Sequence, residues 1–209
     1  MISDGALSQD EIEALLKGSD EAFGGTETAS DGNVDKQLFN EAAKIIADNQ
    51  AFSLSSISTK TVTITNIATT IGNTTNLQQM LSGKMVEAKV SYTGSISGNA
   101  YYFMGEKESL AISSFMMGQK EEILNDMVAQ ALKEAFSQMI GSSDSALTSR
   151  FGGNFTNSPV ETSILEDASK INISGSLAIV NGTATIDGEF ENAPYVLAME
   201  LPLLQALIG

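Results

Sequence analysis

The sequence predicts an α/β domain built from two similar halves, preceded by a short helix on a flexible acidic arm. The order helix, strand, hairpin, helix occurs once before residue 118 and again after residue 123. Alternating apolar and polar residues indicate the strands, and apolar residues spaced by three or four indicate the helices. The repeated order predicts internal pseudo-symmetry, and the polar composition before residue 34 predicts the arm.

A short helix is predicted in ALSQDEIEALLKG, residues 6–18. Ser8 and Glu11 have the S-x-x-E spacing of a capping box, and Gly18 suits the helix end. An isolated helix of fewer than about 12 residues is marginal in water, so this one needs a surface against which to bury its apolar face. That face consists of Ile12, Leu15 and Leu16.

Residues 19–33 have the polar, acidic and glycine-containing composition of a linker. Residues 1–33 carry eight acidic residues and one lysine, a net −7 out of the chain's −15. A helix on such a tether resembles a ligand for a groove on another protein. The alternatives are a helix that folds back onto its own domain and an extension foreign to it. We therefore divide the chain into a helical peptide (1–18), a linker (19–33) and a domain (34–209).

The composition excludes several classes of site. The chain has no cysteine and no histidine, which removes disulfides, zinc–thiolate sites and the usual general base. A pI near 4.2 with only 11 basic residues argues against nucleic acid as a partner. No apolar run reaches the roughly 18 residues of a spanning helix, and no signal peptide opens the chain, so we expect a cytoplasmic protein.

The elements follow from periodicity and turn residues. In the first half they are helix 35–56, strand 60–67, a helical or loop segment at 74–82, a hairpin within 85–104 and helix 107–118. In the second half they are helix 123–151, two strands within 170–190, and a strand and short helix within 195–207. Asn181-Gly182 is the expected turn between the two strands. The residues predicted to face inward from the long second helix are Met127, Ala131, Leu132, Ala135 and Met139.

Each long helix also carries a polar triplet at i, i+4 and i+7, which places its members along one side. The first-half site is Gln37, Glu41 and Lys44, and the second-half site is Gln130, Glu134 and Ser137. Taken alone, each triplet is typical of a solvated helix face, with Glu41 and Lys44 as an i,i+3 ion pair.

Three segments resemble a known family. LSQDEIEALL (7–16) resembles the N-terminal motif of the flagellar switch proteins FliM and FliY. ESLAISSFMMG (108–118) and ALKEAFSQMIGSSDSALTS (131–149) resemble the CheC/FliM/FliY middle domain, a pseudo-two-fold α/β/α unit. The resemblance implies a C-ring component at the cytoplasmic face of the flagellar basal body, with other switch proteins such as FliM and FliN-like proteins as partners. Family members usually continue into a FliN-like domain, so this chain is expected to be part of a longer protein.

The resemblance also implies a role for the arm. In the family this peptide docks on phosphorylated CheY, the chemotaxis response regulator. Its anchors here would be Ile12, Leu15 and Leu16, with Glu11 and Glu13 as polar contacts. FliM middle domains present a G-G-x-G loop to FliG, whereas MMGQKEE (116–122) retains only Gly118. This departure favours the FliY-like branch and disfavours direct contact with FliG.

FliY-like and CheC-like proteins can hydrolyse the aspartyl phosphate of CheY. Their motif is Asp or Ser, then Glu four residues on, Asn three further and Pro about twenty-two beyond. In the family the Asn amide orients a water in line with phosphorus and the Glu holds CheY. CheY brings the magnesium, so the resemblance implies no cofactor on this chain.

Both halves depart from this motif. In the second half Glu134 and Pro159 match, but Ser137 stands where Asn is expected, Gln130 replaces the leading residue, and the amide of Gln138 lies one position on.

In the first half Glu41 matches, Lys44 replaces Asn, and no proline lies near position 66. We expect an inactive first site and a weak second one. The first hypothesis is therefore a CheY-binding switch component whose domain is mainly a scaffold. The alternative is a phosphatase that uses Glu134 with Ser137 or Gln138. A third reading keeps only an acidic α/β domain with an accidental arm motif.

Overall fold

The computed structural model describes residues 34–154 and 156–209. The predicted peptide (1–18) and linker (19–33) lie outside the described residues, and so do the predicted CheY contacts. The helices are α1 Lys36–Ser58, α2 Thr74–Gln79, α3 Glu106–Met117, α4 Asp126–Phe151 and α5 Leu201–Ile208, with a 3-10 turn at Ala168–Lys170. The strands are β1 Val62–Gly72, β2 Met85–Thr93, β3 Gly98–Gly105, β4 Thr156–Asn157, β5 Glu161–Leu165, β6 Leu177–Ile186 and β7 Phe190–Glu200.

The seven strands form one antiparallel sheet in the order β1-β6-β7-β3-β2, with β4 and β5 both paired to the outer side of β2. Helices α1, α3, α4 and α5 pack on one face of the sheet and contribute to the larger apolar core. Leu77 of α2 and Ile171 beside the 3-10 turn cover part of the other face. The predicted α/β class and its layered arrangement are confirmed.

The two halves are related by a nearly constant shift of 93 positions, the separation of Glu41 and Glu134. This shift carries α1 onto α4, the β2–β3 hairpin onto β6–β7, and α3 onto α5. The first strand of each half crosses over: β1 pairs with β6 of the second half, and β5 pairs with β2 of the first. The halves therefore complete each other's sheet, which the sequence order alone does not reveal.

The expected turn at Asn181-Gly182 is wrong, because both residues lie inside β6 and pair with β7. The chain reverses instead at Asp187–Glu189, where Gly188 has φ of 76°. Gly182 serves a different purpose: a Cβ there would lie 2.7 Å from the carbonyl oxygen of Thr65. The N-G dipeptide allows the bulged β1 to approach closely and does not form a turn.

The inward position assigned to Met127 is also wrong, since its side chain is 58% exposed. Helix α4 begins at Asp126, three residues later than predicted, and the Asn125 side chain accepts the Val128 N–H at 3.1 Å. Val128 is fully buried in its place. The cap sets the phase of the first turn, and the apolar spacing alone places that turn one residue out of register.

Candidate functional site

The two predicted sites lie on α1 and α4, which pack against each other. Arg150, near the end of α4, pairs with Glu41, near the start of α1, so the two helices run antiparallel. Both sites therefore lie on one layer, near opposite ends of the helix pair.

Glu41 of the first-half site is bound by the guanidinium of Arg150. Nη2 of Arg150 donates to Oε2 of Glu41 at 2.8 Å, and Nε donates to Oε1. These hydrogen bonds lower the pKa of Glu41 below its ordinary value, with a smaller contribution from the positive charge itself. Lys44 pairs with Asp48 at 2.8 Å, so the expected Glu41–Lys44 ion pair is wrong. The Glu41 carboxylate therefore joins α1 to α4.

The sequence reasoning missed Arg150, although it is the only arginine in the chain. Its position in the last turn of a helix is already favourable because it complements the helix dipole. Only the antiparallel packing of α1 and α4 brings it to a residue 109 positions away.

At the second-half site Glu134 is exposed, and no ion pair among the described residues involves it. Nε2 of Gln138 donates to Oε1 of Glu134 at 3.2 Å, which occupies the nearby amide. The half-buried Ser137 hydroxyl donates to the Lys133 carbonyl at 2.8 Å. The shift of 93 residues places Ile57, which carries no charge, where a counterpart of Arg150 would lie.

Two hydrogen bonds place Pro159 relative to this site. Asn157 donates to Oδ2 of Asp144 at 3.1 Å, and the Thr162 hydroxyl donates to the Ala129 carbonyl at 3.0 Å. Pro159 lies between Asn157 and Thr162 in the strand segment, and the second-half site lies between Ala129 and Asp144 in α4. The segment around Pro159 therefore passes alongside the helical turns that carry the site. Proline also lacks the N–H needed to continue the ladder, and pairing is interrupted here between β4 and β5.

The corresponding residue of the first half is Asn66. It has φ of 55° and lies in a bulge between Thr65 and Ala68, where the β1–β6 register shifts. Its side-chain amide donates to the Thr183 hydroxyl at 3.1 Å. Both halves thus interrupt their crossing strand at the same place, one with proline and the other with a left-handed asparagine.

Asp144 is a further residue that the sequence reasoning missed. Its carboxylate is 9% exposed, and Oδ1 accepts the Tyr92 hydroxyl at 3.0 Å. Burial raises the pKa of Asp144 to about 6, partly offset by the hydrogen bonds from Tyr92 and Asn157. A buried polar residue in an otherwise amphipathic helix is the sequence signal for it, but the pattern does not identify its partners.

The segment 116–122 ends α3 and turns towards α4. Gly118 has φ of 68°, and the Glu121 amide donates to the Ser114 hydroxyl at 2.9 Å. Within residues 34–154 and 156–209, no group of three or more His, Cys, Asp or Glu side chains could hold a metal ion. In the same part of the chain, no helix is long and apolar enough to cross a bilayer.

Chemically, the second-half site offers an exposed carboxylate that has no ion-pair partner among the described residues and accepts a hydrogen bond from the amide of Gln138. The hydroxyl of Ser137 lies on the same helix. Such a site can hold a basic group of a partner, but no amide lies at the position expected to orient water. The first-half site offers an exposed lysine and a carboxylate already neutralised by Arg150.

No family model matches the chain. A curated relative, the flagellar motor switch phosphatase FliY of Bacillus subtilis (strain 168), is 25% identical over 167 residues, which cover 77% of this chain and 44% of that protein. The chain therefore spans less than half the length of this relative.

The crystal structure of Thermotoga maritima FliY matches with a TM-score of 0.71 at 22% identity, covering 84% of this chain and 96% of that one. The FliG–FliM complex from H. pylori matches with a TM-score of 0.68 at 12% identity, covering 84% and 99%. Other solved structures with this fold are CheX and CheC-like proteins. These likenesses confirm the fold expected from the sequence.

Proposed function

We propose that this chain, whose described domain has the fold of the FliM and FliY middle domains, is a flagellar motor switch component that binds phosphorylated CheY. In this proposal the N-terminal peptide supplies the binding helix, and the domain is mainly a scaffold beside other switch proteins at the cytoplasmic face of the motor. The contrast between an intact peptide motif and two incomplete phosphatase motifs carries the proposal.

The geometry of the first-half site supports the scaffold role. The bidentate contact with Arg150 uses both oxygens of Glu41, and an arginine–carboxylate pair of this kind has a defined orientation. A CheY side chain would have to displace Arg150 to reach that carboxylate. The proposal assigns the magnesium to CheY. The residues that this chain contributes to CheY binding are those of the N-terminal peptide.

The test is the affinity of the full chain for CheY carrying beryllofluoride as a phosphoryl mimic. We expect Ile12→Ala/Leu16→Ala to weaken binding about 100-fold, because each truncation removes roughly 1–2 kcal/mol of buried apolar contact. The matched control is Asp20→Ala/Glu21→Ala, which changes two linker residues and should alter affinity by less than about threefold. Wild-type affinity in the Ile12/Leu16 variant would refute the peptide's role.

A second candidate function is hydrolysis of CheY phosphate at the second-half site. Two observations favour it: Glu134 is exposed without an ion-pair partner, and Pro159 runs beside its helix. The Bacillus relative is itself named a flagellar motor switch phosphatase. The decay rate of phosphorylated CheY discriminates between the two functions. Acceleration that is lost in Glu134→Ala but kept in Glu41→Ala would make the chain an enzyme, and no acceleration would leave a binding module.

A further inference from the structure

One buried carboxylate joins three elements around the second-half site. Asp144 projects from α4. One carboxylate oxygen accepts a hydrogen bond from the Tyr92 hydroxyl of β2, and the other accepts one from the Asn157 amide of β4. The two distances are 3.0 and 3.1 Å. Each oxygen accepts one of these bonds, so the carboxylate links the helix to the strand segment that leads to Pro159.

The rest of that segment is tied to the sheet. The Ser158 amide donates to the Ser91 carbonyl at 2.8 Å, and the Ser91 amide donates to the Ser158 hydroxyl at 3.1 Å. Among the described residues from 153 to 161, the Asn157–Asp144 bond is the hydrogen bond that reaches α4. This bond therefore holds the part of the segment before Pro159 against the helix, while the buried Val160 and the Thr162–Ala129 bond hold the part after it.

Among residues 34–154 and 156–209, no positive charge contributes to the pKa of Asp144 or holds it ionised. The titratable groups that face it are the phenols of Tyr92 on β2 and Tyr102 on β3. The elements that close the small cavity beside it contribute apolar side chains: Ile46 of α1, Leu147 of α4, Met199 of β7, and Leu203 and Leu207 of α5. A carboxylate without a counterion in such a place changes its charge near neutral pH.

We propose that Asp144 is a positioning residue for the second-half site, and that its ionisation loosens the contact between α4 and the strand segment that leads to Pro159. Only the effect of this change on CheY rests on the proposed function. The placement of the segment is a property of this chain alone.

The physical reason is the cost of burying a charge. The hydrogen bonds from Tyr92 and Asn157 offset only part of that cost, so the packed arrangement favours the protonated carboxyl. An ionised carboxylate gains hydration when the segment that carries Asn157 moves away from α4, because water then reaches Oδ2. Ionisation therefore favours the looser arrangement. Because burial raises the pKa of Asp144 to about 6, the change falls in the physiological range.

The test follows the full chain by NMR without CheY. The measured quantity is the hydrogen-exchange protection factor of the Ser158 amide, corrected for the intrinsic pH dependence of exchange. We expect protection to be about tenfold higher at pH 5 than at pH 7.5 in the wild type, because the protonated carboxyl favours the packed arrangement. Asp144→Asn should show equal protection at both pH values. Asp167→Asn removes an exposed aspartate that caps the 3-10 turn, and it should keep the wild-type pH dependence.

Equal wild-type protection at the two pH values would overturn the proposal, and so would a pH dependence that survives in Asp144→Asn. If Asp144→Asn does not fold, the wild type still decides the question. The Asp144 carboxyl carbon and the Asn157 side-chain amide should titrate with the same midpoint, and different midpoints would refute the link. Since CheY is absent, these outcomes are independent of whether the chain binds phosphorylated CheY.

Discussion

The first-half and second-half sites occupy equivalent turns of α1 and α4, yet their glutamates have opposite roles. Glu41 is bound by Arg150 from the neighbouring helix, whereas Glu134 is exposed and contacts only the uncharged Gln138 among the hydrogen bonds of the described residues. The difference arises because Ile57, which lies 93 positions before Arg150, occupies the place where an arginine would have to stand to pair with Glu134. The two pseudo-symmetric helices have equivalent positions in the fold, but only one of the two carboxylates joins them.

The same contrast extends to the buried polar residues beneath the helices. In the second half the ionisable Asp144 receives Tyr92, and in the first half the neutral Gln50 receives the Tyr195 hydroxyl at 2.9 Å. Both solutions satisfy a tyrosine hydroxyl in a low-dielectric interior. Of these two buried residues, only Asp144 can change its charge with pH.

The largest expected effect is on pH-dependent stability. Folding raises the pKa of Asp144 from 3.8 to about 6, so its stabilising contribution is present below pH 4 and is lost as pH rises through 6. Relative to the wild type, Asp144→Asn should gain about 2 kcal/mol in unfolding free energy between pH 4 and pH 7.5. Denaturant unfolding at both pH values measures this difference. Gln50→Leu should shift stability equally at the two, and a constant difference for Asp144→Asn would contradict the raised pKa.

A smaller effect is expected when each site is given the asparagine of the family motif. Ser137→Asn should accelerate decay of phosphorylated CheY about tenfold over the wild-type chain, because an oriented amide can position the attacking water. Lys44→Asn should give no comparable gain, because Glu41 remains bound to Arg150. Phosphate release in single-turnover assays measures both. Adding Glu134→Ala to Ser137→Asn should abolish the gain, and equal acceleration by Lys44→Asn would show that the two sites do not differ.

The smallest effect concerns Glu41 itself. Arg150→Gln should raise the pKa of Glu41 back towards its ordinary value of 4.5, since the hydrogen bonds from Arg150 are the main cause of the lowered pKa. Carboxyl-carbon NMR titration measures it. Lys84→Ala, which removes a lysine paired with the exposed Glu166, should leave the Glu41 titration unchanged. A Glu41 midpoint that does not move in Arg150→Gln would mean that the ion pair does not persist in solution.

Much of the fold could be predicted from local sequence. Periodicity identified both long helices and the β2–β3 hairpin, and the repeated order of elements predicted the pseudo-symmetry. The errors occurred where local signals compete with packing. Asn181-Gly182 has the composition of a turn but lies in β6, because β1 needs a glycine opposite its bulge. Met127 fits an apolar spacing but faces solvent, because the cap at Asn125 sets the helix phase.

The candidate site was predictable in its residue types but not in its connections. Glu41, Glu134 and Pro159 follow from motif spacing, and the helix period fixes which of them share a face. Whether each carboxylate is free depends on residues that approach from elsewhere in the chain. Arg150 reaches Glu41 only because the helices pack antiparallel, and Asn157 reaches Asp144 only because β4 pairs with β2.

The sequence by itself therefore determined the two long helices, the β2–β3 hairpin, the duplicated order and the absence of histidine and cysteine chemistry. These depend on composition or on residues within a few turns of each other. Tertiary structure alone decided that each half lends its first strand to the other, that Glu41 is bound while Glu134 is exposed, and that Asp144 is buried beside Tyr92. The physical reason is range. Periodicity and capping act over a few residues, whereas an ion pair or a buried hydrogen bond is decided by whichever distant group the packing brings within about 3 Å.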